Sequence, residues 1–105
     1  MAQFDVHRNP GPRRAIVPLV VVVQSRRLDT YGRRLVVPLV LRSEVSALAP
    51  GLNPVFRVDG LEVVLHPLDM VSVPVSQLGE RVGSLQGDAD RVITAIDVVI
   101  SRAWG

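Results

Sequence analysis

The sequence predicts a mainly β protein, a small barrel or compactly folded sheet followed by one C-terminal helix. Three observations carry this reading. Short, valine-rich apolar runs recur between breaks containing Gly, Pro and Asp, and β-branched residues favour strands. Asp59-Gly60 stands between two such runs, the strongest short-range signal for a two-residue hairpin. From Leu85 onward the apolar spacing turns helical.

Taken in order, residues 3–8 alternate around Phe4 and Val6 and read as a first strand. Asn9-Pro10-Gly11-Pro12 breaks it, and Arg13 and Arg14 follow in a loop. Residues 16–23 form a continuous apolar run, as expected of a strand buried on both faces. Asp29-Thr30-Tyr31-Gly32 has the composition of a turn, with Gly32 able to supply a positive φ. Residues 33–41 are the next strand, in which Pro38 argues for a bulge or an edge. Residues 43–48 read as a short helical turn ended by Pro50-Gly51. Residues 54–58 and 61–66 flank the hairpin turn, and residues 71–75, carrying Pro74, complete the strands.

The helix is expected over about residues 85–104. Leu85, Ala89, Val92, Ile93, Ile96, Val99, Ile100 and Ala103 make its apolar stripe. Asp90, Thr94, Asp97 and Ser101 make the polar one, and Asp88 or Ser84 can cap the start. Val98 falls outside the apolar stripe. The only tryptophan, Trp104, lies at the border between the stripes and next to the chain end. Either it folds back onto its own domain, or it serves recognition, for which Trp is the most enriched residue type.

The 105 residues have the size of one domain, 1–105, with a β-rich body over about 1–80 and the helix after it. Aromatic residues are only 4% of the chain, so Val, Leu and Ile must build the core. Cysteine is absent, which excludes disulfides and thiolate chemistry. His7 and His66 are the only histidines, too few for a His-based metal site, and no cofactor is expected. All twelve basic residues are arginines, whose planar forks suit acidic protein segments or nucleic acid. The net charge is only +2, and direct sequence-specific nucleic-acid binding is not expected. The longest apolar run, residues 15–23, is too short to span a bilayer and contains Pro18. With no secretory signal apparent, a soluble cytoplasmic protein is the expectation.

Several blocks resemble one known family. Phe4-Asp5-Val6, Gln24-Ser25, Asp29-Thr30-x-Gly32-Arg33-Arg34 and Val37-Pro38-Leu39 are similar to blocks found in that order in the CcdB toxins. So is Asp69-Met70-x-Ser72-Val73-Pro74-Val75-Ser76, followed by Gly79-Glu80 and, at the end, Trp104-Gly105. The resemblance implies a non-enzymatic toxin of a type II toxin–antitoxin module, a homodimer built on an SH3-like β-barrel with a C-terminal helix. It implies the A subunit of DNA gyrase as target, bound by the end of the helix and trapped on cleaved DNA. The implied target-binding residues are Trp104, Gly105, Asp97, Leu28 and Ala103.

The chain departs from the family pattern in places. The final Ile of the best-known member is missing, and Ala103 stands where the family has Phe before the Trp. Asp97 takes the place of an Asn and lies seven residues before Trp104 rather than four, an insertion of roughly one turn. An apolar pair after Gln-Ser-x is here Arg27 and Leu28. A CcdA-like antitoxin, with a disordered and often acidic C-terminal segment, is the implied second partner. Arg8, Arg13 and Arg14, around the first loop, suit such a segment.

Two alternatives stand beside this reading. The barrel is also that of MazF-type toxin ribonucleases, and Arg33 and Arg34 beside Asp29 could imitate such a catalytic set, whose bland reading is a solvated turn with local Asp–Arg pairing. His66 with Asp69 is a further pair of titratable groups, more often structural than catalytic at a strand end. The other alternative is a family member without gyrase activity that binds an antitoxin.

Overall fold

The computed structural model describes residues 2–102, so Ala103, Trp104 and Gly105 lie outside the described residues. Seven strands run in the order β1 (Asp5–Arg8), β2 (Leu19–Val22), β3 (Arg33–Leu41), β4 (Val55–Val58), β5 (Leu61–Leu65), β6 (Val71–Pro74) and β7 (Arg81–Ser84). Helix α1 (Ala89–Asp97) follows and continues into a π-helical segment, Val98–Arg102. The strands join in one sheet of order β4-β5-β3-β2-β1-β7, with β6 paired to β3 off this path. Every pairing is antiparallel, and the sheet curls into a half-barrel. This is the mainly β fold with a C-terminal helix that the sequence predicts.

Strand β3 is the hub. One side pairs with β2 over Val36–Leu39, and the other pairs first with β6 over Arg33–Val36 and then with β5 over Leu39–Leu41. Its alternate side chains Leu35, Val37, Leu39 and Leu41 join the core, which Val6, Leu19, Val21, Phe56, Val63 and Leu65 complete. Each fully buried aliphatic side chain contributes roughly 1.5–3 kcal/mol. Pro38 creates neither a bulge nor an outer edge, because its register with Val20 on β2 is regular. Its carbonyl accepts from His66 N–H at 3.1 Å, so its nitrogen faces the same side, between the stretches claimed by β6 and β5. A missing N–H costs nothing there.

The hairpin at Asp59-Gly60 forms as expected: Val58 pairs with Leu61, and the two turn residues have φ of 53° and 75°. Other boundaries move. The first strand starts at Asp5, because Phe4 has φ of 70° while its N–H is held by Val22 O at 2.6 Å and its ring is buried. The second starts at Leu19, because Ile16 and Val17 are tied into the preceding turn by hydrogen bonds to Arg13 O. Gly32 does not use a positive φ; the loop before β3 turns through a 3₁₀ segment, Arg26–Leu28, with Ser25 Oγ accepting from Arg27 N–H at 3.3 Å. The helical turn expected over 43–48 is a 3₁₀ segment at Arg42–Glu44.

Strand β7 had no counterpart among the sequence expectations. It is short, contains Gly83, and pairs along β1 as Asp5 with Ser84 and Val6 with Gly83. Gly79, just before it, lies so close to β1 that a Cβ there would stand 2.7 Å from Arg8 O. His7, buried, donates from Nδ1 to Gly79 O at 2.9 Å and fastens the same crossing.

The helical region starts later than expected, with a 3₁₀ segment at Gln86–Asp88 before α1. Neither candidate caps α1 with its side chain. Ser84 Oγ accepts from Gln86 N–H at 3.1 Å, and the Asp88 carboxylate stands 3.6 Å from Arg91 Nη1. The buried face is also turned from the expected stripe. Val92 and Ala95 are fully buried, whereas Ile93 and Ile100 are exposed. Arg91 helps seat α1, its guanidinium 4.6 Å from the Phe56 ring centroid and its Nη2 donating to Val55 O at 3.2 Å. No helix among the described residues is long and apolar enough to cross a membrane.

Candidate partner-binding surfaces

Three surfaces collect the residues singled out from the sequence. The first is the end of the helix. Asp97 closes α1 and is exposed, and Ser101 Oγ donates to its carboxylate Oδ1 at 2.6 Å. The π-helical segment begins at the next residue, Val98, and such wide turns typically carry an extra residue in a helix. That is where the resemblance places an insertion. Val98 is half-buried. Ile93 and Ile100, large apolar side chains of the helical region, are both exposed. Trp104, Gly105 and Ala103 lie outside the described residues, so the tip itself is not placed.

The second surface is the loop between β2 and β3. Leu28 ends its 3₁₀ segment and is 43% exposed, and its carbonyl accepts from Gln24 Nε2 at 3.1 Å. Below it, Arg34 is buried and donates to the carbonyls of Tyr31, Arg33 and Asp29 at 2.6, 2.9 and 3.0 Å. Arg33 turns to β6, donating to Ser72 Oγ at 2.9 Å and Ser72 O at 2.8 Å. The Asp29 carboxylate therefore meets neither guanidinium, because Arg34 takes the Asp29 backbone instead. The local Asp–Arg pairing expected of a solvated turn does not form, and the three side chains do not converge as a catalytic set would.

The third surface is the outer face of β2, β3 and β6. An open groove of about 760 Å³ runs across it, floored by Val20, Pro38, Val40 and Val73. Arg13 and Asn9 border it at one side, His66 and Asp69 at another. The His66 Nδ1 to Asp69 Oδ2 distance is 3.9 Å, beyond a hydrogen bond. Arg14 lies in the same turn as Arg13, with Nη1 donating to Gly11 O at 3.2 Å. Arg8 differs from both, since it pairs with Asp59 at 2.9 Å and Glu80 at 3.5 Å. Its charge is already partly answered within the chain.

One ion pair that sequence reasoning missed stiffens the barrel beneath these surfaces. Asp5 is buried, and its carboxylate meets Ala2 N–H at 2.9 Å and Arg81 Nε at 3.1 Å. Burial pushes the Asp5 carboxyl up, but the Ala2 amide and the Arg81 guanidinium outweigh it and hold the group below its ordinary value.

A curled antiparallel half-barrel with one C-terminal helix defines a small mainly β protein. Comparison with family models matches residues 3–101 to the family described as CcdB protein. The chain belongs to the CcdB family, and with it to the toxins of toxin–antitoxin modules.

Proposed function

We propose that this chain, folded as one toxin domain, is a gyrase poison: a homodimer whose helix ends bind the gyrase A subunit and trap the enzyme on cleaved DNA without doing chemistry. The observation that carries this reading is the exposure of Ile93 and Ile100. Apolar side chains left outside the core, on the helix that leads to Trp104, supply what a protein interface needs and a solvated helix does not. Two copies joined about a two-fold axis would set two tryptophans side by side as anchors. Asp97, Ala103 and Gly105 complete the tip, and Leu28 adds an apolar contact from the β2–β3 loop.

An antitoxin segment would lie in the groove on the outer sheet face, where Arg13 on its lining and Arg14 in the adjoining turn would meet its acidic side chains and the valine floor its apolar ones. Arg8 would contribute less, being paired with Asp59. The deciding experiment incubates purified gyrase, supercoiled plasmid and this protein, then denatures the enzyme. Linear DNA that accumulates with the wild type and not with Trp104→Ala supports the reading. Gyrase left untouched by a correctly folded dimer overturns it.

A further inference from the structure

The loop joining β2 to β3 holds the molecule's positive charge. Residues 24–34 carry four arginines against one aspartate, whereas the rest of the chain carries eight arginines against nine acids. The excess sits on an exposed loop. Arg26 and Arg27 are exposed on its 3₁₀ segment, and among the described residues neither guanidinium has an ion-pair partner. Tyr31, 64% exposed, stands at the apex with its ring in solvent. The tip is also tied down from within, since Arg34 donates to three loop carbonyls and Gln24 Nε2 donates to one of the same, that of Arg33, and to that of Leu28.

We propose that this tip binds single-stranded DNA without sequence preference, with Arg26, Arg27 and Arg33 on the phosphates and an unstacked base on Tyr31. Arginine forks match phosphate geometry, and an exposed phenol ring accepts any base face. An acidic peptide would meet the same arginines, but it would leave the exposed Tyr31 ring without a stacking partner. The inference rests on the loop alone and not on gyrase as the target.

The test is fluorescence anisotropy of the full chain with a labelled oligothymidylate of about twenty nucleotides, titrated from about 50 mM salt upward. Saturable binding is expected, weakening with salt. Arg26→Gln with Arg27→Gln should lower affinity about tenfold or more and flatten the log–log salt slope by about 1.4, since each single-strand phosphate contact contributes about 0.7. Tyr31→Ala should weaken binding about tenfold and leave the slope unchanged. These side chains hold no part of the fold, and an unchanged circular dichroism spectrum checks this. No saturable binding at low salt, or binding indifferent to all three substitutions, overturns the proposal. So does tighter binding to poly-glutamate than to the oligonucleotide, which would mark an acidic protein segment as the partner, or to an RNA of the same length. Gyrase trapping is read separately, on duplex plasmid with Trp104→Ala, so either idea can fail without the other.

Discussion

The Ser101 hydroxyl donates to the Asp97 carboxylate at 2.6 Å and also lies 2.9 Å from the Asp97 carbonyl oxygen. It spans the first turn of the π-helical segment and fixes the rotamer of the last residue of α1. Serine hydroxyls that bond back four residues commonly bend the helix they sit on. Here the bond holds the side chain of an exposed acid.

If Asp97 contacts the target, that restraint has a measurable value. Ser101→Ala leaves the carboxylate free to rotate, and ordering one such side chain costs about 0.5–1.5 kcal/mol. Cleavage-complex yield at limiting protein should fall about threefold, against about tenfold or more for Asp97→Ala. Equal yields for all three proteins would remove Asp97 from the interface.

Arg91 seats the helix through its stack on Phe56 and its hydrogen bond to Val55 O. Arg91→Ala should cost about 1–2 kcal/mol in urea unfolding, combining the lost cation–π contact with the lost cover over the ring. Arg91→Lys keeps the charge but not the planar stack, and should recover about half of the loss. A full recovery would show that charge alone matters.

Two glycines should fail for opposite reasons. Gly60 has open space around it but a φ of 75°, so Gly60→Ala costs about 1 kcal/mol of backbone strain. Gly79 lacks space, since a Cβ would press on the Arg8 carbonyl at 2.7 Å. Gly79→Ala should cost about 1–3 kcal/mol by pushing the segment before β7 away from β1. Thermal unfolding separates the two, with the larger drop in Tm expected at Gly79.

The Asp5 carboxyl titrates below its ordinary value, so the folded state favours its ionised form. Its contribution is fully present above the unfolded value of about 3.9 and is lost as pH falls through the folded value. The urea midpoint should therefore drop as pH falls below about 4. Asp5→Asn should be less stable at neutral pH and show a shallower drop over that window. An identical pH profile would mean that the Arg81 pair contributes nothing.

Much of this was readable in advance where one residue dictates one conformation. Asp59-Gly60 announces its turn, and β3 begins and ends where its composition says, because it is buried between neighbours on both sides. What escaped depends on contacts distant in sequence. Nothing in Arg81-Val82-Gly83-Ser84 reads as a strand, and it becomes one because β1 lies beside it. Ala95 is buried and Ile93 exposed because the helix leans on Phe56 through Arg91, a rotation that spacing alone does not fix. The β2–β3 loop looked like an Asp–Arg turn; that Arg34 would be spent inward on backbone carbonyls depends on how the loop folds over it, which composition does not reveal. The gyrase-contact roles came from resemblance, and of those residues only Asp97 on the helix and Leu28 in the β2–β3 loop fall within the described part of the chain.

The inward-facing Arg34 has a consequence for change over time. Its hydrogen bonds go to carbonyl oxygens, which every residue possesses whatever its side chain. The scaffold of the tip is thus indifferent to what the tip displays. Positions 26, 27, 28 and 31 can be rewritten one at a time, from apolar to basic or to aromatic, with the loop keeping its shape. What the loop displays and how it is held are thus assigned to different residues, so its surface chemistry is separable from its fold.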